Sequence, residues 1–286
     1  MIRSGLAVSA AVSFLIVLTG CADPTGDSGV SGSGDGPHRY EADGTVLESA
    51  DHGPQLCIGG VAESYPPQCT GLPIIGWDWN DVTGEDSASG TTWGEYHVVG
   101  TYDGTSFTLL EVGRYRQPPD SSPDFTPPCP EPPGGWAVVD GTRVSDADLQ
   151  AVMHGAESEP DSAGFWIDYI EEPSEFTPVE GIIAIAAFTG DLERHEGELR
   201  DLWGGALCVT QHERTQAELE HIQAELDGGA ARELGLEPTV SWVDTITNTV
   251  HMGVVVAGDA AVAAVADRYG EGVVVLEPAL RVSPEV

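Results

Sequence analysis

The stretch Phe165-Trp166-Ile167-Asp168 reappears later in the chain as Ser241-Trp242-Val243-Asp244. Two more blocks recur in the same order. Residues 182–188 with Thr189-Gly190-Asp191 answer to 250–256 with Ala257-Gly258-Asp259. Leu202-Trp203-Gly204-Gly205-Ala206-Leu207-Cys208-Val209 answers to Arg268-Tyr269-Gly270-Glu271-Gly272-Val273-Val274-Val275. Matched blocks in one order indicate an internal repeat. Each unit reads strand, strand, helix, strand, with the Gly-Asp pair opening the helix as an N-cap and the aromatic-Gly pair closing it. A helix precedes each unit: 145–155 behind Ser145-Asp146-Ala147-Asp148, and 213–226, where Leu219, Ile222 and Leu226 share one face. With 136–139 and 206–209 as leading strands, both halves approach the βαββαβ order of the ferredoxin-like fold. Only one strand lies between the halves, so either sheet could own it.

Upstream, residues 39–116 read as a small β-domain, with strands over 44–49, 56–58, 73–79, 93–102 and 107–112. Tyr102-Asp103-Gly104-Thr105 places a turn dipeptide between two alternating runs, the signal of a hairpin. Strands of these lengths suit an OB-like barrel or a small sandwich. Residues 117–135 carry eight prolines and Cys129. They can form neither a helix nor an interior strand, and read as an extended arm. The expected fold is α+β: an N-terminal β-domain, the arm, and a duplicated ferredoxin-like α/β region with repeats at 136–210 and 211–286.

The start of the chain bears on location. Arg3 precedes an apolar run over 5–18, of signal-peptide length and short for a bilayer span. Leu18-Thr19-Gly20-Cys21 resembles the lipobox of bacterial lipoproteins. The resemblance implies removal of residues 1–20 and a diacylglyceryl thioether on Cys21. At about 0.8 kcal/mol per buried methylene, two acyl chains hold a protein on a membrane where one does not. Residues 22–38, rich in Gly, Ser and Asp, read as a flexible tether with a mean reach of roughly 23 Å.

All eleven basic residues are Arg, and against 47 acidic ones the formal charge is −36. Nucleic acid and anionic headgroups, which need a basic patch, are disfavoured as direct partners. With Cys21 set aside, four cysteines remain, an even number that in an exported chain argues for disulfides. Of the three possible pairings, Cys57–Cys69 with Cys129–Cys208 is preferred, because the first closes a local loop. No CxxC or Cys/His spacing suggests a thiol metal site.

No nucleophile elbow, phosphate loop, dinucleotide fingerprint or HExxH motif occurs, and no cofactor is indicated. His212 and His221 are nine positions apart and fall on opposite faces of a helix. Asp78, Asn80, Asp81, Glu85 and Asp86 offer hard oxygens to calcium, but without the EF-hand spacing. Asp168 and Asp244, equivalent in the two repeats, are the carboxylate pair that an exported hydrolase would use. The least ordinary local sequence is 57–69, ending Ser64-Tyr65-Pro66-Pro67-Gln68-Cys69 and followed by Gly76-Trp77-Asp78-Trp79. A disulfide and two prolines would freeze this loop and present Glu63, Tyr65 and Gln68, with Trp77 and Trp79 as further binding candidates. The alternative is that both tryptophans belong to the core.

This segment, the lipobox and the block 203–208 resemble uncharacterised exported lipoproteins of high-GC Gram-positive bacteria. That resemblance implies location and architecture without an activity. The hairpin around 242–254 is similar to one in the propeptide domains of secreted bacterial serine proteases, which chaperone or inhibit. The expected function is a lipid-anchored, extracytoplasmic, non-catalytic binding module for an exported or cell-envelope partner. A protease inhibitor or folding helper and a carboxylate hydrolase are the alternatives.

Overall fold

A computed structural model describes residues 38–117, 124–174 and 176–284. The leader, Cys21 and all but the last residue of the tether lie outside these residues. Among the described residues no helix is long and apolar enough to cross a membrane.

Six strands come first: β1 (Arg39–Ser49), β2 (His52–Ala62), β3 (Gln68–Ile75), β4 (Asp86–Ala88), β5 (Thr91–Tyr102) and β6 (Phe107–Arg114). Pairing runs from β1 to β2 and from β2 to β3, then in parallel from β3 to β6, from β6 to β5, and from β5 back to β1. The ring closes on itself, and alternation along each strand sends Ala42, Val46, Leu56, Leu72, Tyr96, Val98 and Phe107 inward. The hairpin stands where the sequence placed it: the Asp103 carboxylate accepts from the Thr105 and Ser106 amides, at 2.9 and 2.8 Å.

Strand β3 starts and ends earlier than the expected 73–79. It stops at Ile75, Gly76 takes φ +89°, and Asp78 caps a 3-10 turn over Trp79–Asp81. Trp77 and Trp79 therefore fold over the end of the barrel core instead of continuing the strand. The core is completed from the far end of the chain. Val255 and Leu280 pack into it, and β13 (Arg281–Val282) pairs with β1 at Tyr40 and Glu41.

The region after the arm holds two modules of one order. The first is α1 (Asp146–Glu157), β7 (Ser162–Tyr169), β8 (Ile182–Phe188), α2 (Leu192–Leu202) and β9 (Ala206–Gln211). The second is α3 (Gln216–Glu225), which runs through a π turn into α4 (Ala231–Glu233), then β10 (Pro238–Asp244), β11 (Thr249–Val254), α5 (Asp259–Tyr269) and β12 (Val274–Pro278). Each has a three-stranded sheet, β7-β8-β9 or β10-β11-β12, antiparallel in its first pair and parallel in its second.

The expected leading strand at 136–139 is absent. The chain there is irregular, with the Val139 and Asp140 amides both donating to the Gly204 carbonyl at 2.8 and 3.0 Å. The strand at 206–209 belongs to the first sheet, where it pairs with β8. Both modules thus lack the fourth strand of a βαββαβ unit. The repeats also align differently from the sequence match: Trp166 stands opposite Ile185 and Trp242 opposite His251, a shift of two positions in the second strand. The shorter β10–β11 turn accounts for it.

Helix ends agree in part. Ser145 caps α1, and Thr215 with Glu218 forms a full capping box on α3. Asp191 stands at the N-cap of α2, yet its carboxylate accepts from Arg194 Nε at 2.9 Å and leaves the helix amides alone. Gly258, not Asp259, is the N-cap of α5, whereas Gly270 closes that helix at φ +101° as expected. The modules meet at Gly164, where φ is +128° and an added Cβ would lie 2.0 Å from Thr245 Cγ2. No side chain fits there.

Candidate functional site

The disulfides are Cys57–Cys69 and Cys129–Cys208, each with a Cα–Cα separation of 5.7 Å. The first ties β2 to β3 and fixes the base of the loop between them. At its tip Tyr65 is 79 % exposed, and its ring stands edge-on to Trp93 at 5.6 Å and 89°. Holding an aromatic ring this far out of a fold removes the entropy that it would otherwise lose on binding.

Strand register supplies the rest of the surface. The inward residues Gly44 and Val46 alternate with Asp43 and Thr45, which face away from the barrel core opposite His97 and Glu95, while Leu47, opposite Trp93, is buried. Thr45, Val61, Pro67, Asp86, Trp93 and Tyr115 line a groove of about 460 Å³, and an adjoining one of about 320 Å³ shares Glu95 and Tyr115. Three aromatic rings and two carboxylates border one continuous surface.

A charged clamp closes one end. The Asp43 carboxylate accepts from the Arg116 amide at 2.9 Å and from Arg281 Nη2 at 3.1 Å, and faces His97 Nδ1 at 3.0 Å. Arg116 Nη2 also donates to Glu41 at 3.1 Å. Asp43 is mostly buried, and its ion pairs join Arg116, just before the arm, and the C-terminal strand to β1.

Of the residues singled out in the sequence, Glu63, Tyr65 and Gln68 are exposed on the braced loop. Trp77 and Trp79 are brought together, 5.2 Å apart and packed on Tyr96, with Trp79 Nε1 donating to Glu48 at 2.6 Å. They close the barrel, away from the tip of the loop. Trp93 and Tyr115 were not anticipated. The signal available for Trp93 was its place in an alternating strand, out of phase with the inward Tyr96 and Val98.

Asp78 turns its carboxylate onto the Asn80 amide at 2.9 Å, which holds its pKa below the ordinary value. The group of three metal-capable side chains found among the described residues lies elsewhere, at Glu159, Asp161 and His195. His195 is buried, stacked on Phe188 at 3.6 Å, with Nε2 facing Asp161 Oδ2 at 2.9 Å. Arg194 already brings a cation to this cluster: Nη1 donates to Glu159 at 3.2 Å, and Nη2 lies 2.9 Å from His195 Nε2. Although partial burial opposes it, the hydrogen bond from His195 holds Asp161 below the usual carboxylate range. An internal guanidinium within reach of these ligand atoms makes the cluster a salt-bridge network.

Asp244 caps its own turn, accepting from the Ile246 and Thr247 amides at 2.9 and 3.2 Å. The role is structural, and Asp168 stands on the equivalent rung of β7. His212 is half-buried against Trp166, whereas His221 is exposed beside Glu225. No protein-family model and no curated protein sequence matches the chain.

Proposed function

We propose that the protein is a lipid-anchored, extracytoplasmic, non-catalytic binding module, and that its N-terminal domain is an OB-type barrel. The observation that carries the reading is Tyr65: a bare aromatic ring on a disulfide-braced loop, set against Trp93 above a groove bordered by Tyr115, Asp86 and Glu95. The closed ring of five paired strands supports the barrel assignment. The shared order and sense of the two α/β modules supports their descent from one duplicated unit, each without the leading strand of a ferredoxin-like fold.

OB folds bind oligonucleotides and oligosaccharides. With a formal charge of −36 and carboxylates in the groove, an anionic polymer is repelled. The ligand class that remains is a neutral or cationic saccharide, stacked on the rings with hydroxyls or amines toward Asp86 and Glu95. Amino-sugar oligomers, neutral when N-acetylated and cationic when not, meet this requirement.

The test is titration of the full-length protein, in detergent, with neutral N-acetylglucosamine oligomers and with their deacetylated, cationic forms, read by tryptophan fluorescence. Saturable binding weakened at least fivefold by Tyr65→Ala is expected, since loss of one stacking ring is worth ~1–3 kcal/mol. No binding, or binding indifferent to Tyr65→Ala, sinks the reading.

A further inference from the structure

A second surface lies at the opposite end of the chain. Strand β12 pairs with β11 on one side only and ends its sheet. Beside it, Val262, Ala263, Ala266, Val274, Leu276 and Pro278 line a groove of about 710 Å³ against α5. Val262 is 46 % exposed. An apolar strand with one unpaired edge is a template for another strand, and soluble proteins commonly blunt such edges with a charge or a cover.

The first module does blunt its edge. Arg200, on α2, reaches over β9 and donates from Nη1 to the Gly205 carbonyl at 2.7 Å and from Nη2 to the Leu207 carbonyl at 3.5 Å. In the second module the arginine of α5 is Arg268, and it turns the other way, to Glu225 at 3.7 Å and Glu233 at 3.6 Å. One of two like modules thus covers its edge with its own side chain, whereas among the described residues no side chain donates to the β12 edge, which lies next to an apolar groove.

Charge selects the occupant. Asp259, Asp267 and Glu271 border the groove. A second copy of the chain would bring the same carboxylates face to face, at a formal charge of −36 each. We propose that the β12 edge and the groove beside α5 accept an extended segment of a partner protein as a fourth strand, with apolar side chains toward α5 and Lys or Arg at its ends. Main-chain hydrogen bonds to β12 supply affinity, while the groove and its acidic border supply selectivity.

The experiment selects random twelve-residue peptides displayed on phage against the immobilised full-length protein, then measures synthetic copies of the winners by fluorescence anisotropy. Peptides with alternating apolar residues and terminal Lys or Arg are expected. Their affinity should fall at least fivefold with Val262→Ser and with Asp267→Arg, both at exposed positions, and at least tenfold when alternate peptide amides are N-methylated. Tyr65→Ala should leave it unchanged, which separates this site from the barrel groove. No enrichment, winners indifferent to both substitutions, or tolerance of N-methylation overturns the proposal. So does a dimer in sedimentation that Asp267→Arg dissociates, because the edge would then serve a second copy.

Discussion

Trp166 and Trp242 occupy the same rung of two like sheets, opposite Ile185 and His251, yet Trp166 is 8 % exposed and Trp242 is 38 % exposed. Trp166 lies in a cluster on which Ile170 and Ile246 pack, with His212 edge-on to its ring. Cys129 and Trp136 pack on the cluster that contains Trp166, and the Cys129–Cys208 disulfide holds the arm there. Trp242 has His251 stacked on it, at 5.0 Å and 21°.

Substitution by alanine should therefore separate the two. Trp166→Ala removes a buried ring from a packed cluster and is expected to cost ~3–5 kcal/mol. Trp242→Ala loses a half-exposed aromatic pair, at ~0.5–1.5 kcal/mol. Urea unfolding followed by far-UV circular dichroism measures both, and equal losses would show that the cluster does not bury Trp166.

The disulfides should differ in the same assay. Cys57–Cys69 spans 12 residues and Cys129–Cys208 spans 79. The chain-entropy model gives about 3 kcal/mol for the first and about 4.5 kcal/mol for the second. Cys129→Ser with Cys208→Ser should also red-shift the fluorescence of Trp166 as the arm releases it, whereas Cys57→Ser with Cys69→Ser should not.

The fold was legible where one local pattern decides it. Alternation marked strands β1, β2, β5 and β6, the cap at Ser145 marked α1, and the repeated blocks marked two modules of one order. What escaped depends on distant partners. Nothing around Leu280 signals that it fills a barrel begun at Arg39, and nothing around Trp136 distinguishes a strand from a cover held by a disulfide. In the barrel groove Tyr65 was legible because prolines and cysteines surround it. Trp93 and Tyr115 were not, because their side of the sheet is set by register with β1 and by the course of the chain after β6.

His212 gives the protein a pH dependence. Half-buried against Trp166, it has its pKa lowered by burial. Its folded pKa lies below the unfolded value of about 6.5, so as pH falls through that value the unfolded chain takes up the proton first. Stability from this group is present above about 6.5 and is lost toward the folded pKa. Melting temperatures between pH 7.5 and 5 should decline less steeply in His212→Gln than in the parent. An unchanged slope would assign the decline to other groups.

On the proposed anchoring, Cys21→Ser should move the protein from the membrane fraction to the medium, or hold it as an uncleaved precursor. At a formal charge of −36 the chain has no electrostatic attraction to anionic headgroups that could replace two acyl chains. Fractionation of cells expressing parent and variant decides the matter, and normal membrane retention of Cys21→Ser would remove the lipid from the account.

The C-terminal segment couples the barrel to the second module. Leu280 is buried in the barrel core beside Val255, its amide donates to the Val255 carbonyl at 2.9 Å, and the Ala279 amide donates to Val254, the last residue of β11, at 2.8 Å. One short stretch thus links one core to the other. Leu280→Ala should cost ~2–5 kcal/mol for the buried side chain. Because the same residues belong to both units, barrel and second module should unfold in one transition in the parent. Calorimetry should show that single peak shifted down in Leu280→Ala, while Val282→Ala, exposed on β13, should leave it in place. Two resolved peaks in the parent would mean that the segment lies on the barrel without coupling it to the second module.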